Sequence, residues 1–87
     1  MINLSDAHIL GAAIRSGRSA LNWSQQFLAD KSGISLPTIA RIETGSNNPK
    51  LETISKLIGA IESGGVEYTW THPQGFGMVV TLPKKRK

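Results

Sequence analysis

The sequence predicts a mainly α domain in which four short helices are followed by a C-terminal β-hairpin. Three observations carry this expectation. Apolar residues recur at three- and four-residue spacing from Leu10 to Ile61. Ser24, Ser35, Gly33, Gly45 and Gly64-Gly65 punctuate that pattern with helix starts and stops. Beyond Gly65 the period changes from helical to alternating.

Ser5 or Asp6 can cap a first helix running to about Leu21, with Leu10, Ala13, Ile14, Gly17 and Leu21 on one face. Gly17 weakens the helix but permits close approach of another one. Ser24 opens a short second helix to Lys31, whose buried face is expected to be Phe27, Leu28 and the stem of Lys31. Gly33 supplies a positive φ for the turn. Ser35 caps a third helix that tolerates Pro37 in its first turn, where no amide donor is needed. Ile39 and Ile42 face inward, and Gly45 ends the element. A fourth helix, from about Lys50 to Glu62, carries the broadest apolar stripe: Leu51, Ile54, Leu57, Ile58 and Ile61. Val66, Tyr68 and Trp70 then alternate with polar residues, as do Phe76, Met78, Val80 and Leu82 with their neighbours, across His72-Pro73-Gln74-Gly75. The expected organisation is a helical domain over 1–65, a hairpin over 66–83 and a basic tail over 84–87.

Eighty-seven residues without cysteine make one modest core and exclude disulfides and thiolate metal sites. No apolar run approaches the roughly eighteen residues of a membrane span, and Met1 to Asp6 lack signal-peptide character, so a cytoplasmic location and no membrane partner are expected. The net charge of +4 is less informative than it looks. Lys84, Lys85, Arg86 and Lys87 supply four of the ten basic residues, which leaves residues 1–83 with six basic against six acidic groups. Bulk charge therefore does not mark the folded part as a nucleic-acid binder. His8 and His72 stand apart with no third ligand type beside them, so no metal or other cofactor is expected. No nucleophile–base pairing or paired-carboxylate pattern points to an enzyme.

The segment from Gln25 to Glu43 has its own logic. Ala29 is small where two short helices cross, Gly33 makes the turn, and Ile34 plugs the core beneath it. Burying Leu28, Ala29, Ile34, Ile39 and Ile42 leaves Leu36, Pro37, Ala40 and Arg41 outward, with Thr44 at the margin. A helix presented that way can enter a DNA major groove. Thr38 and the amides around Asn47 and Asn48 are phosphate candidates, because helix N-termini and turns present N–H groups to anions. Lys50 belongs with them if the DNA passes over it.

The run Leu21-Asn22-Trp23-Ser24-Gln25-Gln26-Phe27-Leu28-Ala29 resembles the lambda-repressor-like, Cro-type (XRE) helix-turn-helix family. So do Gly33-Ile34-Ser35, Ile39 to Gly45, and Pro49-x-Leu51-x-Thr53-Ile54-x-x-Leu57. The resemblance covers roughly residues 8–62, with several motifs in order and at matching spacing. It implies that Ser35 to Glu43 is the recognition helix, with Leu36, Pro37, Ala40 and Arg41 on its groove side. It also implies a phosphate contact for Gln25 and a structural charged pair between Arg18 and Glu43. One departure stands out: Leu36, Pro37 and Ala40 offer base edges no hydrogen bonds, so polar readout rests on Arg41 while the other three can meet thymine methyls.

The resemblance implies a double-stranded DNA-binding transcriptional regulator of bacterial or phage origin, a repressor acting as a homodimer on a palindromic operator. The rival is an antitoxin that binds a partner toxin and regulates its own operon, motivated by a hairpin and tail that the core motif does not require. A domain that has lost DNA binding is a third alternative, motivated by the near-neutral body. Trp23 is expected in the core or at a hinge, and Tyr68, Trp70 and Phe76 on one buried hairpin face rather than as stacking platforms.

Overall fold

The computed structural model describes residues 4–69 and 77–79. Four helices run in order: α1 (Leu4–Ala20), α2 (Gln25–Ser32), α3 (Leu36–Glu43) and α4 (Leu51–Ser63). A two-stranded antiparallel sheet follows, β1 (Glu67–Thr69) and β2 (Gly77–Val79), with Tyr68 opposite Met78. Within the hairpin expected over 66–83, the described residues show this antiparallel pairing; Trp70 to Phe76 and Val80 to Lys87 lie outside the described residues.

Each boundary has a local cause. Ser24 accepts the amide of Phe27 at 3.0 Å and starts α2. Gly33, at φ 79°, ends it by donating to the Ala29 carbonyl. Ser35 accepts the amide of Thr38 and starts α3, with Pro37 in the first turn. Lys50 precedes α4 without a side-chain cap, so that helix begins one residue later than expected. At the other end of the chain, α1 takes in both Ser5 and Asp6 and so begins earlier than a cap at either would place it. The α1–α2 turn is made by Asn22 at φ 61°, a left-handed position that asparagine tolerates better than most residues.

The helices surround a core in which Ile14, Leu28, Ile39, Ile42, Leu57, Ile61 and Val66 are fully buried. α1 packs on α3 and α4, and α2 on the same two helices. The hairpin belongs to this core. Val66 is fully buried, and Tyr68 lies against α1 with its hydroxyl donating to the Ala13 carbonyl at 2.8 Å. Gly17 opens the notch for it: a Cβ there would overlap the Tyr68 hydroxyl and stand 2.9 Å from Ile61 Cγ2. The close approach expected at Gly17 is therefore made by a strand residue as well as by α4. A second notch went unanticipated. Gly11 lets α1 lie directly on the Ile42 and Glu43 carbonyls at the end of α3.

Two burial expectations fail. Phe27 is 44% exposed and Lys31 is exposed, because α2 turns Leu28 and Ala29 inward and is too short to bury a second stripe. Phe27 instead stands edge-on to half-buried Trp23, with ring centroids 4.8 Å apart. Leu51 is 77% exposed, since it opens α4 beyond the reach of the core and only the later residues of the stripe pack inward.

Candidate nucleic-acid interface

The outer face of α3 is set by what α3 buries. Ile39 and Ile42 are sealed in the core. At helical spacing this leaves Leu36, Pro37 and Arg41 exposed and Ala40 half-buried on one outward side, as expected. Leu36 keeps 36% of its surface open, and no described residue forms a hydrogen bond with the Arg41 guanidinium.

Both ends of α3 are fixed. At the start, the Ser35 hydroxyl accepts the Thr38 amide and donates to Thr38 Oγ1 at 2.8 Å. At the end, the Arg41 carbonyl accepts from the Ser46 amide at 3.0 Å, from Thr44 Oγ1 at 3.0 Å and from Ser46 Oγ at 3.2 Å. These bonds hold the turn that carries the Arg41 side chain.

Behind α3 lies a charged clamp. Glu43 is 5% exposed, and its carboxylate receives Arg18 Nε at 2.8 Å and Arg18 Nη2 at 2.9 Å, a two-pronged pair. Gln25 Nε2 donates to the same carboxylate at 3.0 Å. Arg18 also donates to the Trp23 carbonyl, and Arg15 donates to the Glu43 carbonyl at 2.8 Å. The Glu43 hydrogen bond is the largest cause holding the Arg18 guanidinium above its already high ordinary pKa. One buried carboxylate thus joins α1, the start of α2 and the end of α3.

The remaining site candidates are placed as follows. Gln25 commits one amide hydrogen to Glu43, which leaves the other for an anion. Ser35 is exposed and Thr38 half-buried at the α3 start. Asn47 is half-buried, and Asn48 and Lys50 are exposed, in the loop joining α3 to α4. Sequence reasoning missed the part of α1 that holds α3: Arg15, Gly11 and His8, whose imidazole lies where a Cβ on Gly45 would stand 2.7 Å from Nδ1. Positions 8, 11, 15 and 18 do recur on one helix face. That signal went unseen because the face mixes charge with glycine.

Two short helices crossing over a small residue, with the second clamped from behind and bare in front, constitute a helix-turn-helix. Comparison with known proteins agrees. The helix-turn-helix family matches residues 14–66, and the chain belongs to the XRE-type branch of that family, which comprises DNA-binding transcription regulators. It is 46% identical over 46 residues to an uncharacterised HTH-type transcriptional regulator of Haemophilus influenzae, a match covering 53% of this chain and 47% of that protein. The chain spans about half the length of this curated relative. Among solved structures it is similar to the restriction-modification controller protein C.AhdI from Aeromonas hydrophila. That likeness has a TM-score of 0.64 at 33% identity, and covers 67% of this chain and 88% of the other. Among the described residues, no helix is long and apolar enough to cross a membrane.

Proposed function

We propose that this chain is a transcriptional repressor that reads double-stranded DNA with α3. The observation that carries this reading is a helix clamped from behind by the Arg18–Glu43 pair, with Leu36, Pro37 and Arg41 exposed and Ala40 half-buried on its outward side. Gln25, Ser35, Thr38, Asn47, Asn48 and Lys50 surround that face and position the phosphates. The test is anisotropy against an operator selected from random duplex and against a scrambled duplex. Arg41→Ala is expected to weaken operator binding by about 1–3 kcal/mol while circular dichroism stays unchanged. An unchanged ratio of the two affinities would remove Arg41 from the reading role.

One recognition helix covers too few base pairs for useful specificity, which supports a homodimer on a palindrome with half-sites about one DNA turn apart. We assign the joint to the hairpin of residues 66–83. Val66 and Tyr68 are already committed to the monomer core, so pairing falls to a strand edge. A selected site without two-fold symmetry, bound by one protomer, would refute the dimer. Amide exchange that changes with protein concentration only on the helices would move the joint off the hairpin. The antitoxin alternative loses part of its motive here, because the start of the hairpin is not spare surface.

A further inference from the structure

The four outward side chains of α3 form an unusual chemical inventory. Leu36, Pro37 and Ala40 carry neither donor nor acceptor. Arg41 carries five donors and no acceptor. The polar side chains beside them each make at least one bond inside the protein. Ser35 and Thr38 bond each other, and the Thr44 and Ser46 hydroxyls turn back on the Arg41 carbonyl. The amide of Gln25 is drawn to Glu43.

Resting on the DNA-binding reading above and going beyond it, we infer that each half-site is a thymine step beside a guanine, read by methyl contact and one bidentate arginine. In the major groove, the apolar group that a base edge offers is the C5 methyl of thymine. The edge offering two adjacent acceptors to an arginine fork is guanine, through O6 and N7. Adenine and cytosine present amino donors, which none of the four outward side chains can accept. Leu36 and Pro37 open the helix, and Ala40 and Arg41 follow one turn later. A helical turn rises about 5.4 Å against about 3.4 Å per base pair, so the guanine falls within about two base pairs of the methyls. Leu36 and Arg41 are the specificity-determining residues.

The experiment uses the full chain and a duplex selected from a random pool. Each thymine of the selected site is replaced in turn by deoxyuridine, which removes only the methyl group. Guanine is replaced by 7-deazaguanine, which removes N7. We expect about a fourfold loss of affinity for each contacted methyl, the equivalent of ~0.8 kcal/mol for one buried methylene-sized group. The deoxyuridine effect at one position disappears in Leu36→Ala, and the deazaguanine effect disappears in Arg41→Ala. Leu36 and Arg41 are surface residues, and circular dichroism checks that both variants fold. If the pool yields no enriched sequence, the DNA-reading function fails and this inference falls with it. An enriched sequence that tolerates deoxyuridine everywhere, or lacks guanine beside thymine, overturns this inference alone and leaves the DNA-reading function standing.

Discussion

Of the three glycines inside helices, Gly59 and Gly17 are expected to shift stability in opposite directions when the same methyl group is added to each. A Cβ on Gly59 of α4 meets nothing within 4 Å. Gly59→Ala therefore gains helix propensity alone, about 0.5–1 kcal/mol. Gly17→Ala gains the same propensity but drives a methyl into the Tyr68 hydroxyl and within 2.9 Å of Ile61 Cγ2. Neither neighbour can yield freely. Tyr68 is 8% exposed and hydrogen-bonded to Ala13, and Ile61 is fully buried. Overpacking of this kind costs about 1–3 kcal/mol, and displacing the tyrosine forfeits a hydrogen bond of about 0.5–1.5 kcal/mol. The net expectation is a loss of about 1–3 kcal/mol at Gly17, since these costs exceed the propensity gain. Urea denaturation followed by circular dichroism measures both variants. In a Tyr68→Phe background, where the clashing oxygen is gone, Gly17→Ala should cost less than in wild type. A Gly17→Ala protein as stable as wild type, or no coupling to Tyr68→Phe, would refute the claim that this glycine exists to admit the hairpin.

Three further outcomes are expected. Glu43→Ala should destabilise the fold by about 2–4 kcal/mol in thermal or urea melts. Breaking a buried pair strands a charge, and here Arg18 retains some solvent and the Trp23 carbonyl; an unchanged melt with altered base preference would make Glu43 a reader. Burial, helped by Glu62 and Glu43, pushes the hydroxyl of Tyr68 well above the usual tyrosine range. The folded state therefore keeps this proton after the unfolded chain has released it. Its contribution to stability is complete below about pH 10 and declines as pH rises past that point. The melting temperature should fall more steeply there in wild type than in Tyr68→Phe, and tyrosinate absorbance, from the sole tyrosine of the chain, should appear only with unfolding. Deleting Lys84 to Lys87 should lower affinity for operator and random DNA alike and flatten the salt dependence, by about 0.9 in log–log slope for each phosphate the tail neutralises. An unchanged slope would exclude the tail from DNA binding.

The helices, the caps of α2 and α3 at Ser24, Gly33 and Ser35, and the outward face of α3 were legible because periodicity and turn chemistry are local. Ser24, Gly33 and Ser35 act within a few residues of themselves. What the sequence concealed is long-range. Nothing near Tyr68 reveals that it crosses to α1, 55 positions away, to meet Ala13. Nor does Gly11 announce that it faces the carbonyls of α3. Phe27 and Leu51 misled for a related reason. An apolar residue at helical spacing is buried only if a partner lies over it, and spacing carries no record of the partner.

The manner in which α1 grips α3 has a consequence for how such a protein diversifies. Gly11 rests on the Ile42 and Glu43 carbonyls, Arg15 binds the Glu43 carbonyl, and Arg18 takes the Glu43 side chain. Every one of these holds is made at the far end of the helix, and two of the three use main-chain atoms. Positions 36, 37, 40 and 41 contribute to none of them. Leu36, Pro37 and Arg41 are exposed, so substitutions there leave these holds in place; if α3 reads DNA as proposed, a duplicated copy of the gene could acquire a new operator while inheriting the scaffold. The grip separates what must stay constant from what is free to vary.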